Sequence, residues 1–162
     1  MKKLCHQKNQ HINLSGVTLP ELILVMSIFA ALIAIATINL ASIKNKASLN
    51  TSITTLISDL KQQQLKAMVG DTEGRGVTDS YGLYLGQNQY ILFHGTYNPS
   101  DPSNFTVNLD DNLQFPNPGT SVIFASGSGE FTAPTSLILQ DTQTNEQKTI
   151  QINTLGTVTG VN

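Results

Sequence analysis

Gly16-Val17-Thr18-Leu19-Pro20-Glu21-Leu22-Ile23-Leu24-Val25 is the stretch on which the reading of this chain turns, because Glu21 is the only charge in a long apolar segment and sits near its start. From Leu22 to Ile43 no residue is charged. An ionised carboxylate at the edge of a hydrocarbon layer is costly unless something pairs with it. Leu22–Ala41 supplies the ~20 residues that cross a bilayer as a helix, so the carboxylate stands at the mouth of a candidate membrane span and calls for a functional reason. Pro20 falls in the expected first helical turn, where its missing N–H breaks no bond.

The run GVTLPELILV resembles the processing site of bacterial type IV prepilins and type II secretion pseudopilins. The resemblance implies a basic leader cut by prepilin peptidase between Gly16 and Val17, N-methylation of Val17, and a processing and assembly motif through Thr18, Leu19, Pro20 and Glu21. The family commonly has phenylalanine where this chain has Val17. Cleavage would create an amine on Val17, and in a stacked filament that amine can lie beside the Glu21 carboxylate of a neighbouring subunit. A buried carboxylate is unfavourable alone and tolerable when paired, so the pairing would fix the stagger between subunits. The tip pseudopilin of secretion systems typically lacks this glutamate, so Glu21 argues against a tip role.

The 162 residues, 40% hydrophobic and 12% charged, accommodate one membrane-inserted helix and one small soluble domain. We expect a cleaved leader at 1–16, a transmembrane and assembly helix at 17–43, an amphipathic helical half at 44–70 and a β-rich domain at 71–162. Lys2, Lys3 and Lys8, with no acid in the leader, place the N-terminus on the cytoplasmic side and the C-terminal domain outside the inner membrane. Lys44 and Lys46 weaken that asymmetry without reversing it. Processing would leave six basic residues against eleven acids, a net charge of −5.

A secretory signal peptide is the main competing reading of the N-terminus, since basic residues, an apolar core and the triplet Ala34-Ile35-Ala36 are all present. Glu21 at the start of the apolar core, and helical patterning that continues past the supposed cut, speak against it. Cys5 is the only cysteine, so a chain starting at Val17 forms no internal disulfide. A lipoprotein signal needs an apolar run before its cysteine, and only Met-Lys-Lys-Leu precedes Cys5.

Between Glu21 and Val69 there is neither glycine nor proline, which predicts one helical rod of about 70 Å. After Lys44 the apolar positions Leu49, Ile53, Leu56, Ile57, Leu60 and Met68 recur at helical spacing, a stripe that packs on a soluble domain. Gly70 is the expected stop. From Asp71 onward the pattern is β. Tyr81–Leu85 and Gln89–Phe93 flank the turn Gly86-Gln87-Asn88, and His94–Asn104 reads as a loop. Further strands are expected at Phe105–Leu109, Leu113–Phe115, Ser121–Ala125, Ser136–Gln140 and Thr149–Asn153, with turns at Pro116-Asn117-Pro118-Gly119 and Thr142–Glu146. The fold class is therefore α+β, an N-terminal helix packed on an antiparallel β domain. With Val122-Ile123-Phe124 and the late Gly156, this arrangement is similar to pilin-like minor subunits of the GspH/FimT type.

Chemistry beyond the N-terminal motif is sparse. His94 has no second histidine or cysteine to build a zinc site in the processed chain, and no histidine-paired Ser or Cys signature marks a nucleophile. Asp110-Asp111-Asn112 lacks the alternating-oxygen loop of a Ca²⁺ site and reads as a solvated turn. Gly127-Ser128-Gly129 lacks the dinucleotide fingerprint and reads as a flexible link. No catalytic residue, metal or cofactor is expected, and the chain is read as a structural subunit, not an enzyme.

DNA capture is the alternative function, because some relatives of this type take up DNA. From Ala47 onward Lys61, Lys66, Arg75 and Lys148 face ten acids, a net charge of −6. Phosphate binding needs clustered cations. The segment Thr154–Val161 holds none, where the DNA-capturing relatives are expected to carry arginine. Gly74-Arg75-Gly76 offers one cation and reads as a loop.

If the resemblance holds, replacing Gly16 by a bulky residue leaves the leader attached, and mass spectrometry of the native mature chain starts at methylated Val17. A mature start at Thr37 would mean that signal peptidase had acted.

Overall fold

The computed structural model describes residues 16–131 and 135–162, with side chains described throughout except at 37–42; the leader positions Lys2, Lys3, Cys5 and Lys8 lie outside them. Helical residues, α1, run Leu19–Val69. The chain divides into two compact units, Met1–Leu40 and Ala41–Asn162, so α1 is shared between them and each unit is described by itself.

In the first unit, Leu19–Ala36 is 18 residues long and apolar enough to cross a membrane by length and composition. Its side chains are exposed throughout. The Ser27 hydroxyl is satisfied within the helix by donating to the Leu24 carbonyl at 2.8 Å, which lets a polar residue sit in an apolar run.

In the second unit, α1 buries Leu49, Ile53, Leu56, Leu60, Gln63 and Ala67. Their spacing of four and three residues in alternation is the narrow seam of a helix that meets its partner along one line. Met68, expected in this stripe, is half exposed; the seam at that level is taken by Ala67, whose small side chain lets the helix end approach the loop that follows β5. The helix stops at Gly70, which adopts φ +65°. The Asp71 N–H reaches back to the Lys66 carbonyl (3.0 Å) and the Gly70 N–H to Ala67 (3.3 Å), the two bonds of a Schellman ending that satisfies carbonyls left open by the last turn.

Eight strands follow: β1 (Tyr81–Leu85), β2 (Gln89–His94), β3 (Phe105–Asn108), β4 (Leu113–Gln114), β5 (Ser121–Phe124), β6 (Thr135–Asp141), β7 (Gln147–Ile152) and β8 (Val158–Val161). They form two antiparallel sheets, ordered β3-β2-β1-β5 and β4-β6-β7-β8. The β1–β2 hairpin pairs Leu85 with Tyr90 and Leu83 with Leu92, closed by the Gly86 N–H donating to the Gln89 carbonyl at 2.9 Å. Because side chains alternate along a strand, Tyr81, Leu83, Leu85, Tyr90, Leu92, Val122 and Phe124 share the core face of the first sheet. Leu137, Leu139, Ile150 and Ile152 do the same for the second. The helical seam belongs to the same cluster, so one core serves all three layers.

Three features depart from the sequence reading. Val158–Val161 is a strand, pairing Ile150 with Val161 and Gln151 with Gly160 around a bulge at Gln151/Ile152. The loop between β2 and β3 also covers the outer face of the first sheet: Tyr97 stacks on Tyr84 with ring centroids 4.0 Å apart and packs on Phe93 at 5.3 Å. Phe93 in turn lies over Gly82, where a Cβ would come within 2.8 Å of the ring. Finally, Gly127-Ser128-Gly129 is not a loose link. The Gly127 N–H donates to the Ala67 carbonyl at 2.8 Å and the Gly129 N–H to Ala125 at 2.8 Å, which docks the turn on the end of α1.

The C-terminal loop is held to the same place. Gln64 Nε2 donates to the Gly129 carbonyl at 3.1 Å and the Leu155 carbonyl at 2.7 Å. A Cβ on Gly156, at φ +74°, would sit 2.4 Å from that nitrogen and 2.9 Å from Phe124 Cε1.

Leu60→Ala should therefore cost about 2–5 kcal/mol in chemical denaturation followed by circular dichroism, since it opens a cavity in the seam. Gly156→Ala should cost roughly 1–3 kcal/mol through overpacking, while Met68→Ala should stay near ~0.5 kcal/mol.

Candidate functional site

The N-terminal motif is laid out by the start of α1. Gly16 and Val17 precede the helix and are exposed, Val17 at 71%. Thr18 occupies the position before the first helical residue, and its carbonyl accepts the Leu22 N–H at 3.1 Å. Pro20 sits in the first turn, and Glu21 is the acidic residue of that turn, where a carboxylate interacts favourably with the unpaired N–H groups of the helix start. Thr18-x-x-Glu21 also has the spacing of a capping box, a local signal the sequence reading passed over.

A Cβ built on Gly16 meets nothing within 4 Å. Among the described residues, packing does not require the glycine. Val17 and the helix up to Ala36 likewise bury nothing on their own unit. An apolar surface of this extent requires lipid or other protein to cover it.

On the second unit the remaining candidates are accounted for by local structure. Asp110 turns the chain, its carbonyl accepting the Leu113 N–H at 2.8 Å, and its carboxylate accepts a hydrogen bond from Ser48 of α1. Asn112 Nδ2 donates to Asp141 Oδ2 at 2.8 Å. This acidic turn is therefore tied to the helix on one side and to the β6–β7 turn on the other. Among the described residues no group of three or more His, Cys, Asp or Glu could hold a metal ion.

Two of the cations are tied up as well. Lys66 Nζ lies 2.6 Å from Glu73, with Arg75 3.8 Å from the same carboxylate, and Arg75 Nη1 is hydrogen-bonded to His94 Nδ1. Tyr81 lies beside this group. Its hydroxyl donates to the Asp71 carbonyl at 2.9 Å, and burial, with Glu73 and Asp71 nearby, pushes its pKa up to about 12. Two of the six Lys and Arg residues of this unit are thus committed to a local network.

Comparison with protein-family models, with curated proteins and with solved structures finds no match.

Asp141 gives this unit a titratable anchor. It is 1% exposed and accepts the N–H groups of Gln143 (2.7 Å) and Thr144 (2.9 Å) as well as Asn112 Nδ2. Burial alone opposes ionisation, but these hydrogen bonds outweigh it and hold the carboxyl below its ordinary range. A lowered folded-state pKa contributes stability that is present above the unfolded pKa and is lost as pH falls through the folded one. Asp141→Asn should cost about 1–3 kcal/mol at neutral pH. In pH-dependent denaturation its difference from the wild type should shrink below about pH 4, the unfolded carboxyl range.

Proposed function

We propose that this chain is a structural minor pseudopilin or pilin subunit of a bacterial type II secretion pseudopilus or type IV pilus. Prepilin peptidase would cut after Gly16 and methylate Val17. Before assembly the subunit would sit in the inner membrane as a single-pass protein with its β domain outside, its α1 acting as one long helix. The apolar half would then leave the lipid for the helical core of the filament. The observation that carries this reading is the union of the GVTLPELILV motif with a helix start whose following apolar residues are all exposed. A membrane anchor accounts for the apolar length, and the helix start by itself favours a carboxylate in its first turn. Pairing with a neighbour's N-terminal amine would give Glu21 a further reason, one that acts between subunits.

The reading assigns the chain no catalytic residue and no cofactor. Its partners are prepilin peptidase, other filament subunits meeting it through the N-terminal helix, and the membrane.

Glu21→Ala and Glu21→Gln separate insertion from assembly. Both remove a charge from the edge of the apolar segment, so membrane insertion should be unchanged or better. Incorporation into filaments, measured by immunoblot of sheared filament fractions, should drop severalfold; normal incorporation of Glu21→Gln would remove the basis of the pairing argument.

A fragment beginning near Lys46 should fold as a monomer and show no salt-dependent DNA binding at low ionic strength, because few dispersed cations among ten acids release few counterions. Micromolar binding abolished by Arg75→Ala would favour a DNA-uptake pilin instead.

A further inference from the structure

The loop between Gly70 and β1 is held at its tip by charge more than by packing. Residues 73–78 are exposed, and a Cβ built on Gly74 or Gly76 meets nothing within 4 Å. Glu73, at φ +45°, lies in the left-handed region, as do Gly74 at +80° and Gly76 at +78°. A residue with a side chain keeps such a backbone only where its surroundings enforce it. Two side chains reach out from this tip to the rest of the unit. Glu73 meets Lys66 of α1 at 2.6 Å, and Arg75 Nη1 is hydrogen-bonded to His94 Nδ1 at the end of β2.

The second contact fixes a protonation state. A guanidinium offers only donors and keeps its charge at any physiological pH. The His94 nitrogen that meets it must therefore accept, and Nδ1 accepts only in a neutral imidazole whose proton sits on Nε2. A proton added at Nδ1 turns the acceptor into a donor and sets two cations against each other.

The charges around His94 pull in both directions. In the same cleft α1 presents Lys66 and Asp59, and the loop carries Asp71, Glu73 and Asp79 beside Arg75. Asp101 of the β2–β3 loop lies within electrostatic reach of Arg75. From β1 comes Tyr81, its ring centroid 6.0 Å from that of His94 and its hydroxyl kept neutral by a pKa pushed up to about 12. The carboxylates favour a charged imidazole, whereas Arg75 and Lys66 disfavour it. Among the described residues no carboxylate forms an ion pair with His94, while Arg75 touches the titrating nitrogen itself. The nearest charge dominates, because Coulomb energy falls with separation.

We propose that His94 is a pH-sensitive latch: the neutral imidazole holds Arg75, and with it the exposed loop tip, against β2, and protonation in mildly acidic surroundings lets both go. The latch weakens proton binding at His94. Its contribution to stability is therefore complete above the unfolded histidine range near ~6.5 and is lost as pH falls through the lower, folded midpoint. The Lys66–Glu73 pair and the Schellman ending at Gly70 do not involve the imidazole, so release is confined to the tip from Gly74 to Val77. Every residue of the latch belongs to the second unit, and its operation does not depend on the filament reading.

NMR of the full chain in non-ionic detergent, titrated over about pH 5 to 8, tests this. Long-range ¹H–¹⁵N spectra report the tautomer and midpoint of the His94 ring, assigned by its loss in His94→Asn, and the backbone amides of Arg75 and Gly76 report the loop. At the upper end of the range His94 should be the Nε2–H tautomer. Its midpoint should lie about half a pH unit or more below that in Arg75→Met, which keeps the stem and removes the charged donor. The two amides should shift with the His94 midpoint in the wild type and stay fixed in His94→Asn, whose side-chain oxygen accepts from Arg75 at every pH. An Nδ1–H tautomer, or a midpoint unchanged or lowered in Arg75→Met, would overturn the latch. So would loop amides that ignore the His94 titration, or that shift equally in His94→Asn.

Discussion

One seam of a single helix holds the second unit together. Leu49, Ile53, Leu56, Leu60 and Ala67 belong to the same buried cluster as the inner faces of both sheets, and neither four-stranded sheet pairs with the other. A sheet with one apolar face must bury it against another element. Here two sheets meet that requirement through the same helical line. The devices at its lower end follow from this. The Schellman ending at Gly70, the docking of Gly127 on the Ala67 carbonyl, and the Gln64 bridge to Gly129 and Leu155 all fasten the helix terminus to the connections between strands.

The two halves of the helical span answer to different surroundings. From Leu49 the helix keeps one narrow stripe for the core and leaves Lys, Gln, Ser and Thr on its other faces. From Leu19 to Ala36 it is apolar on every side and exposed on every side. Such a surface is unstable in water but at home in lipid or among other apolar helices. A subunit that moves from one to the other needs both, and it needs a polar feature that distinguishes them. Glu21 fits that requirement in the proposed function: it is tolerated at the membrane edge near the aqueous side, and favourable in a filament only where an amine meets it.

Most of the fold was legible in the sequence because its signals were local. Gly86-Gln87-Asn88, Pro116–Gly119 and Thr142–Glu146 punctuate alternating apolar runs, and β1, β2 and β5 lie within a residue of their expected ends. What escaped depended on tertiary context. β8 reads as a polar tail because Thr157, Thr159 and Gly160 dilute its valines; only pairing with β7 makes it a strand. Tyr97 looked like loop filling until Tyr84 and Phe93 provided a face for it. Met68 fits helical periodicity as well as Ala67, and the close approach of the Gly127–Gly129 turn decides between them. Gln63 was hidden because a hydrophobic pattern search passes over a glutamine in the seam. At the N-terminus the residue types and their order carried the whole reading, and the structure adds that no described residue packs where a Cβ on Gly16 would lie.

In the proposed function the start of the helix meets a neighbouring subunit rather than lipid alone. Photocrosslinking from a probe at residue 18, in native cells assembling the filament, tests this most directly. Adducts should map to the segment around the corresponding glutamate of another filament subunit and vanish when processing at Gly16 is blocked. Adducts confined to lipid, in cells with normally processed protein, would contradict it.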